Sequence, residues 1–450
     1  MSQHYGASVA PLYLSTTFKV DLENENNQYD YSRSGNPTRT LLQQQVAKLY
    51  DDIDPNFVFA VSSGMTALDV VLRSFLPSET NNHCIIAGDD LYGGTQRLLN
   101  LLKISIDTMH FDLSHTENFK AKFYDLVTIK KTIVDIIVLE SPTNPLCKII
   151  DIPHLIKFIR KYSPETLIVI DNTMMSGLNC NPLKFGADVV YESATKYLNG
   201  HHDIMAGVII AKNKLLAEKI YFLINSTGSG LNPMDSWLLI RGLKTLSIRL
   251  HKQQLNALAI SHWLEEGCGF KTHNNNNNLK TRYIGLKSHP DYELHRSFNK
   301  GPGAVISLQT GSIPISKKIV ASKLLKLWNV TVSFGCVNSL ISMPCLMSHA
   351  SIDPELRKER QFPEDLIRLC CGIEDVKALQ EDLLGAFVEA GVITIKKHDG
   401  RTYLINNLNG HIGEHFIYSE LEHKNVYDQF FSYQNYIEKN LLAKQRLSKL

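Results

Sequence analysis

The chain has 450 residues, with 47 Lys or Arg against 45 Asp or Glu, so its formal net charge is only +2. That balance argues against a nucleic-acid-binding protein held by bulk charge, and 44% hydrophobic residues argue against wholesale disorder. No apolar run approaches the about 18 residues of a membrane-spanning helix, and the first residues do not resemble a secretory signal. The eight cysteines form no CxxC pair, so no metal site or disulfide framework is expected. A soluble intracellular enzyme or a large binding protein remains.

Between residues 57 and 212, short runs rich in Val and Ile alternate with helical patterns. The predicted strands include Cys84–Ala87, Val134–Leu139, Leu167–Ile170 and Met205–Ala211. Apolar residues three and four apart predict the helices Thr66–Phe75, Thr95–Leu102 and Ile152–Arg160. This alternation predicts an α/β fold with a mostly parallel sheet covered on both faces, and it places ligands at the carboxyl ends of the strands.

The second half of the chain predicts a smaller α/β domain. A long helix is predicted from about Leu231 to Glu265, and the run His273–Asn278, with five consecutive asparagines, predicts a surface insertion without a role. After it come the predicted strands Ala304–Gln309, Val330–Phe334 and Leu366–Cys370 and a helix over Asp375–Glu389. The expected division is an arm over 1–55, a large domain over 56–245, a smaller domain over 246–392 and an extension over 393–450.

Three features at predicted strand ends carry chemistry. Lys196 ends the run Ser193-Ala194-Thr195-Lys196, where a lysine can form a Schiff base while neighbouring hydroxyls hold a phosphate. Asp171, 25 residues earlier, can keep a pyridine nitrogen protonated. The turn Ser62–Thr66 can present backbone N–H groups to an anion at a helix start. Taken singly, these features also fit a surface lysine, a capping aspartate and an ordinary helix start.

Nine blocks in order resemble the cysteine/methionine-metabolism family of pyridoxal 5'-phosphate (PLP) enzymes, the cystathionine lyases and synthases of fold type I. The blocks are YSRSGNPTR (31–39), SSGMTAL (62–68), DDLYGGTQR (89–97), ESPTNP (140–145), IDNT (170–173), ESATKYLNGHHD (192–203), DSWLLIRGLKTL (235–246), GLKSHP (285–290) and LIRLCCGIED (366–375). The resemblance implies PLP as cofactor, an aspartate-aminotransferase-like large domain that binds it, and an amino acid as substrate.

The resemblance also implies site roles. Lys196 matches the lysine that joins the cofactor and then acts as general base, and Asp171 matches the partner of the ring nitrogen. Tyr92 matches the aromatic stacked on the ring, and Asn144 the donor near the ring hydroxyl. The phosphate cradle is implied to comprise Gly64, Met65, Ser193 and Thr195.

Three further residues are implied to act on substrate or on a neighbouring subunit. Arg368 matches the arginine that binds the substrate carboxylate through its planar fork. Tyr31 and Arg33 match the pair that reaches the phosphate in the neighbouring subunit. The implied assembly is a homotetramer built from dimers that share active sites.

The segment 333–352, SFGCVNSLISMPCLMSHASI, resembles the eukaryotic cystathionine β-lyases. In γ-lyases and γ-synthases the position before Ser339 is commonly acidic, whereas here it is Asn338. We therefore expect both residues to face substrate and expect cleavage of L-cystathionine to L-homocysteine, pyruvate and ammonia. Alternatives are a γ-lyase, a broader cysteine-S-conjugate β-lyase, and an inactive binding or regulatory homologue. His201-His202-Asp203 lacks metal-ligand spacing, so a structural role is expected.

The chain ends in Ser448-Lys449-Leu450, which is the peroxisomal address when its C-terminus is free. The expected partner is the peroxisomal import receptor. The expected location is the peroxisome, with the cytoplasm as a second location. No other chemistry is assigned to the extension.

Overall fold

The computed structural model describes residues 6–23, 28–271, 279–350, 354–360 and 362–417. The chain forms two compact units. The first comprises Met1–Asp89, Gly94–Glu140 and Ile150–Ser247, and the second comprises Asp90–Gly93, Ser141–Ile149 and Ile248–Leu450. Within these described ranges, no helix combines the length and the apolar character needed to cross a bilayer. The asparagine-rich run His273–Asn278 lies outside the described residues.

A seven-stranded sheet forms the centre of the first unit. In chain order its strands are β1 Val58–Val61, β2 His83–Gly88, β3 Asp107–Phe111, β4 Ile133–Glu140, β5 Leu167–Asp171, β6 Val189–Ser193 and β7 Gly207–Ala211. Their spatial order is β1-β7-β6-β5-β4-β2-β3, and only the pairings of β7 with β1 and β6 are antiparallel. The predicted mostly parallel sheet is confirmed, with strand ends shifted by at most two residues.

The hydrophobic residues of these segments explain why they form buried strands. The β4 sequence IVDIIVLE and the β5 sequence LIVID are buried over most of their length. Continuous runs of Val and Ile are typical of parallel strands that helices cover on both faces. The helices before residue 247 are α1 Pro37–Ala47, α2 Gly64–Ser74, α3 Gly93–Leu102, α4 Thr116–Tyr124, α5 Ile152–Tyr162, α6 Ser176–Asn179, α7 Lys214–Thr227 and α8 Pro233–Leu243.

The sheet register brings three polar side chains into line. Glu140, the last residue of β4, is opposite Asp171, the last residue of β5. Asp171 is in turn opposite Tyr191 in β6. Because side chains aligned across a sheet share a face, these three lie on one face at the carboxyl edge. Ser193 ends β6 two residues later and therefore shares that face.

The second unit contains a five-stranded sheet. Its strands are β8 Leu279–Arg282, β9 Val305–Thr310, β10 Asn329–Val330, β11 Leu340–Ser342 and β12 Ile367–Cys370. Their spatial order is β10-β11-β12-β9-β8. Its helices are α9 Leu246–His262, α10 Tyr292–Phe298, α11 Ile313–Val320, α12 Pro354–Glu359 and α13 Val376–Glu389.

Two sequence predictions are wrong in detail. The predicted helix from Leu231 to Glu265 is two helices, α8 and α9, because the N–H and hydroxyl of Thr245 both bond the Gly242 carbonyl at 3.2 Å and close a tighter turn. The predicted strand Val330–Phe334 stops at Val330 as β10. Ser333 and Gly335 take φ values of 93° and 79°, which no extended strand can contain.

A three-stranded antiparallel sheet follows α13 and was not predicted. Its strands are β13 Ile393–His398, β14 Arg401–Asn406 and β15 Ile412–Glu414. Three side chains of this sheet and of the turn before β15 bond backbone carbonyls after α9, within the second unit. The bonds run from Asn406 to Cys268 at 2.8 Å, from Asn409 to Gly269 at 2.9 Å and from His411 to Glu266 at 3.0 Å. The extension therefore contributes to the second unit as far as the described residues reach.

Candidate active site

The start of α2 is built to receive an anion. The Ser63 hydroxyl caps the helix by accepting from the Thr66 N–H at 3.0 Å. The N–H groups of Gly64 and Met65 belong to the first turn, where a helix offers no internal acceptor. With the positive end of the helix dipole, they favour a phosphate.

Close packing fixes this helix start against the strand ends. A Cβ atom on Gly64 would lie 2.7 Å from Cβ of Ser193, and one on Gly207 would lie 2.2 Å from the Ser63 carbonyl oxygen. Any side chain at these two positions would separate α2 from β6 and β7. The sequence therefore needs glycine twice to bring the predicted cradle residues Gly64, Met65 and Ser193 together.

Lys196 follows β6 in a tight turn. Its N–H donates to the Ser193 carbonyl at 3.1 Å, and its carbonyl accepts from the Gly200 N–H at 2.8 Å. The neighbouring Thr195 hydroxyl accepts from the Ala206 N–H at 3.0 Å, which pins the turn to the segment before β7. Lys196 is half-buried, so the protein rather than bulk water surrounds much of its side chain.

Asp171 is held on the same strand-end surface. Its Oδ1 accepts from the Thr173 N–H at 2.9 Å and from the Thr173 hydroxyl. That hydroxyl also accepts from the Ser193 N–H at 2.9 Å, which links β5 to the phosphate cradle. Burial raises the pKa of Asp171, while hydrogen bonds from Thr173 and Tyr191 and the positive charge of Lys196 act in the opposite direction. The carboxylate thus has donors and a cation around it.

The second unit contains a separate cluster around Arg368 in β12. Arg368 is 2% exposed and donates to the Asn144 side-chain oxygen at 2.9 Å and to the Ser333 carbonyl at 3.0 Å. Its Nε is buried and finds no acceptor among the described residues. A buried guanidinium with an unused N–H can bind a carboxylate through parallel bonds. The strained Ser333 backbone supplies one of the carbonyls that orient it.

His349 joins this cluster to Tyr92. Its Nε2 bonds the Asn144 carbonyl at 3.1 Å, and its ring meets the Tyr92 ring edge-on at 6.3 Å between centroids. Burial, followed by the nearby Arg368 charge, lowers the pKa of His349 to about 4, so the ring is neutral at physiological pH. The structure therefore brings together the predicted residues Tyr92, Asn144 and Arg368.

Ser339 and Asn338 lie in the second unit with different exposures. Asn338 is exposed, whereas Ser339 is fully buried. The Ser339 N–H and hydroxyl donate to the Glu374 carboxylate at 2.7 and 2.9 Å, and its hydroxyl accepts from the Gly372 N–H at 2.8 Å. Glu374 thereby fixes the backbone beside Asn338. The roles of Asn338 and Ser339 toward substrate stay predictions.

Tyr31 and Arg33 occupy a loop that Arg39 supports. Arg39 donates to the carbonyls of Ser32 at 2.7 Å and Arg33 at 3.0 Å. Arg33 lies over the Tyr31 ring at 5.3 Å, and both side chains are exposed. The pair is therefore presented on the surface of this chain, and its role toward a second subunit stays a prediction.

The first-unit residues fit PLP. The crowded glycine turn and the first N–H groups of α2 suit a phosphate, Asp171 suits a protonated ring nitrogen, and Lys196 supplies an amine near that carboxylate. Among the described residues, no cluster of His, Cys, Asp and Glu could hold a metal ion.

Sequence reasoning missed several supporting residues. Thr173 lay inside the block IDNT and His349 inside MSHASI, so the blocks contained them without revealing their contacts. Arg39 and Glu374 also lay inside matched blocks, and Tyr191 directly precedes one, but the sequence does not show which groups they contact. Only the folded chain shows which of these side chains orients a functional group.

Comparisons with known proteins identify relatives. The sequence model of the family described as Cys/Met metabolism PLP-dependent enzyme matches residues 1–388. A cystathionine beta-lyase from Saccharomyces cerevisiae is 58% identical over 459 residues, covering 100% of this chain and 97% of that protein. One from Neurospora crassa is 50% identical, covering 87% and 80% respectively. The solved structure of a cystathionine gamma synthase from Xanthomonas oryzae pv. oryzae in complex with cystathionine has a TM-score of 0.78 at 33% identity, covering 86% of this chain and 95% of that one.

Proposed function

The chain belongs to the Cys/Met metabolism family of PLP-dependent enzymes, and from this premise we propose that it cleaves the Cβ–S bond of L-cystathionine. With one water, the products are L-homocysteine, pyruvate and ammonia. The observation that carries this function is the strand-end placement of Lys196 beside Asp171, in a chain whose relatives are named cystathionine beta-lyase.

The first unit supplies the residues that hold the cofactor. Gly64, Met65, Ser193 and Thr195 would bind its phosphate, and Asp171 would hold a proton at its ring nitrogen. When bound, PLP accepts the negative charge that develops at the substrate Cα. Lys196 Nζ takes the Cα proton, which is the task of a general base. Thr173 keeps the Asp171 carboxylate oriented during that transfer.

Arg368 binds the substrate α-carboxylate in this proposal. Its Nη atoms are oriented by Asn144 and Ser333, and its buried Nε needs an acceptor. Losing a buried charged partner costs about 2–5 kcal/mol. Arg368→Lys should therefore raise KM for cystathionine because a lysine lacks the planar fork. Arg296→Lys, at another buried arginine of the same unit, serves as a control.

The main alternative is γ-cleavage, and product analysis separates the two. β-Cleavage gives pyruvate and homocysteine, whereas γ-cleavage gives 2-oxobutyrate and cysteine. Asn338 supports β-cleavage because an amide cannot supply the carboxylate that the sequence pattern of γ-lyases and γ-synthases places there. Chromatography of the products from purified enzyme and cystathionine tests this directly. Finding 2-oxobutyrate as the main keto acid would contradict the β-lyase proposal.

A second candidate is a broader cysteine-conjugate β-lyase. One methylene in an apolar pocket changes binding by only about 1–3 kcal/mol, so cystine and alkyl cysteines are reasonable competing substrates. Kinetic comparison of cystathionine, cystine and an S-alkyl cysteine gives the order of preference. A cystathionine kcat/KM below that of the others would favour the broader activity.

A homotetramer of dimers with shared sites is part of the proposal. Tyr31 and Arg33 are exposed together on the Arg39-supported loop, so they are available to a phosphate held by a second copy. Sedimentation velocity measures the assembly. Mixing Arg33→Ala subunits with Lys196→Ala subunits should restore some activity, because a mixed dimer regains one complete site. Absence of any restoration would argue against shared sites.

Peroxisomal import is also part of the proposal. Ser448-Lys449-Leu450 lies outside the described residues, and its support is the sequence itself, with Lys444 and Arg446 just upstream. An N-terminal fluorescent fusion should form puncta with a peroxisomal marker, and deleting the three residues should make it diffuse. Diffuse signal with an intact C-terminus would contradict import.

A further inference from the structure

The face of the sheet that points away from the Asp171 side chain holds a buried polar network that the proposed reaction does not use. It comprises Tyr50 from the turn Lys48–Tyr50, Asn172 just after β5, and Glu192 in β6. Their exposed fractions are 2%, 1% and 1%. All three belong to the first unit, and no lysine, arginine or histidine is among the described groups that shift the pKa of Glu192.

Hydrogen bonds connect the three side chains into one network. The Tyr50 hydroxyl donates to Glu192 Oε1, which also accepts from the Gly177 N–H at 3.0 Å. The Asn172 amide donates to the Tyr50 hydroxyl at 3.0 Å and to the Cys180 carbonyl at 2.9 Å. The network thus ties the residues after α1, β5 and α6 to a single carboxyl group.

The network lies directly behind the functional strand ends. Successive side chains of a strand point to opposite faces, so Asn172 and Glu192 face away from Asp171 and Ser193. The Asn172 N–H donates to the Tyr191 carbonyl at 2.9 Å and continues the β5–β6 ladder past Asp171. A shift of Asn172 would therefore move the backbone that carries Asp171.

Burial also controls the charge of this network. Glu192 is surrounded by the Tyr50 hydroxyl, the Gly177 N–H, the Asn172 amide and, across the sheet, the Asp171 carboxylate. Tyr50 additionally faces the Cys180 thiol. Burial, together with the Asp171 charge, raises the pKa of Glu192 to about 8, although its hydrogen bonds act against this change. Near neutral pH the Glu192 carboxyl therefore keeps its proton.

We propose that Glu192 and Tyr50 are positioning residues that hold the Asp171 strand end from behind, through Asn172. The inference rests on the proposed function, since that function gives Asp171 its task at the cofactor ring nitrogen. Neutral Glu192 maintains the network. Its ionisation places a charge in a buried site where none of the described groups that shift its pKa is a cation, which proteins avoid by rearranging. The Asp171 surface should therefore change as Glu192 loses its proton.

The experiment uses the full-length, cofactor-loaded enzyme and four variants. Glu192→Ala removes the carboxyl group, whereas Glu192→Gln keeps a neutral group of the same shape. Tyr50→Phe removes the linking hydroxyl. Tyr283→Phe is the matched control, because Tyr283 is equally buried and donates to the Gly303 carbonyl at 2.8 Å in the second unit. Circular dichroism establishes that each variant folds.

Three measurements are made on each variant. They are the visible spectrum of the loaded enzyme without substrate from about pH 6 to about pH 10, the rate of cofactor release on dilution, and kcat and KM for cystathionine. Wild type should show a spectral change and a loss of kcat near pH 8, as Glu192 ionises. Glu192→Gln should lack both changes. Tyr50→Phe and Glu192→Ala should lower kcat about tenfold with KM nearly unchanged and speed cofactor release, and Glu192→Gln should recover most of the loss.

An unchanged pH profile of the spectrum in Glu192→Gln would overturn the proposal, as would equal behaviour of Tyr50→Phe and Tyr283→Phe. If Glu192→Gln does not fold, Tyr50→Phe decides alone, and wild-type kcat and cofactor release in that variant would overturn the proposal. If wild type forms no pyruvate from cystathionine, the proposed function fails, while the spectra and release rates still test the positioning role.

Discussion

The two faces of the β5 and β6 strand ends carry carboxyl groups in different electrical surroundings. Asp171 accepts two hydrogen bonds from Thr173 and lies near the Lys196 cation, whereas Glu192 meets Tyr50, Asn172 and Gly177 in a site whose neighbours are neutral or acidic. Burial raises the pKa of both carboxyl groups, but only at Asp171 is a cation, Lys196, among the described groups that act against that rise. The contrast shows that partners decide the ionisation of a buried carboxyl more than its position in the sequence does.

Among these changes, removing the Lys196 amine beside Asp171 should lower enzymatic activity the most. Lys196→Ala should lower pyruvate formation at least about 10⁴-fold, because the amine that joins the cofactor and moves the Cα proton is gone. A coupled lactate dehydrogenase assay measures the rate, and the visible band of the bound cofactor should disappear. Lys212→Ala, at an exposed lysine of the same unit, should behave as wild type. Residual activity above about one-hundredth would contradict the assignment.

Glu192→Gln tests the contrast between the two carboxyl groups through the pH dependence of the unfolding free energy. The pKa of Glu192 in the folded protein, about 8, exceeds the 4.5 of an unfolded glutamate, so its protonated form contributes its full stabilisation below about pH 4.5. The contribution of Glu192 to the unfolding free energy declines as pH rises between these two pKa values and then levels off. Relative to Glu192→Gln, wild type should therefore lose about 3 to 5 kcal/mol of unfolding free energy between about pH 5 and about pH 9. Urea titrations at several pH values measure it, and a constant difference would contradict a buried neutral carboxyl.

Gly64→Ala should separate the two sides of the phosphate cradle. Its Cβ would lie 2.7 Å from that of Ser193, so α2 or β6 must shift. Cofactor affinity should fall about ten- to a hundredfold, and unfolding free energy should fall by about 1–3 kcal/mol. Gly385→Ala in α13 is the control, since its nearest neighbour would be 3.6 Å away. Equal cofactor titrations for both variants would show that the close approach is unimportant.

Thr173→Val gives the smallest expected effect. It removes the hydroxyl that donates to Asp171 and accepts from the Ser193 N–H. Losing these bonds should lower kcat about tenfold, corresponding to about 1–2 kcal/mol. Thr173→Ser restores the hydroxyl and should recover most of the activity. If both variants match wild type in steady-state kinetics, Thr173 does not orient the carboxylate.

Local sequence patterns predicted the face that carries Asp171 but not the face that carries Glu192. Val- and Ile-rich β5 and β6 predicted strands whose carboxyl ends meet, which brought Asp171 and Lys196 together. Glutamate is usually exposed, so the sequence gives no sign that Glu192 is buried. Its partner Tyr50 is 142 positions away. Arg368 and Asn144 are 224 positions apart. Such pairings depend on the complete topology, which periodicity does not contain.

Backbone conformation set a second limit on prediction. Ser333 lies in a run of residues that favours a strand, yet its φ of 93° ends the strand and turns its carbonyl toward Arg368. Serine rarely adopts this conformation, so local preference gave the wrong answer where surrounding contacts override it.

The small sheet after α13 has a consequence for shortened versions of this protein. Asn406, Asn409 and His411 satisfy carbonyls beyond α9, and the Trp263 indole donates to His415 at 3.1 Å. The family match stops at residue 388, before this sheet begins. Shortening the protein to the matched region would remove all four partners. The three carbonyls and the Trp263 indole N–H would then lose these hydrogen bonds. The boundary set by sequence similarity therefore falls inside the second unit, and a shorter version of the protein should retain at least the residues through His415 that make these bonds.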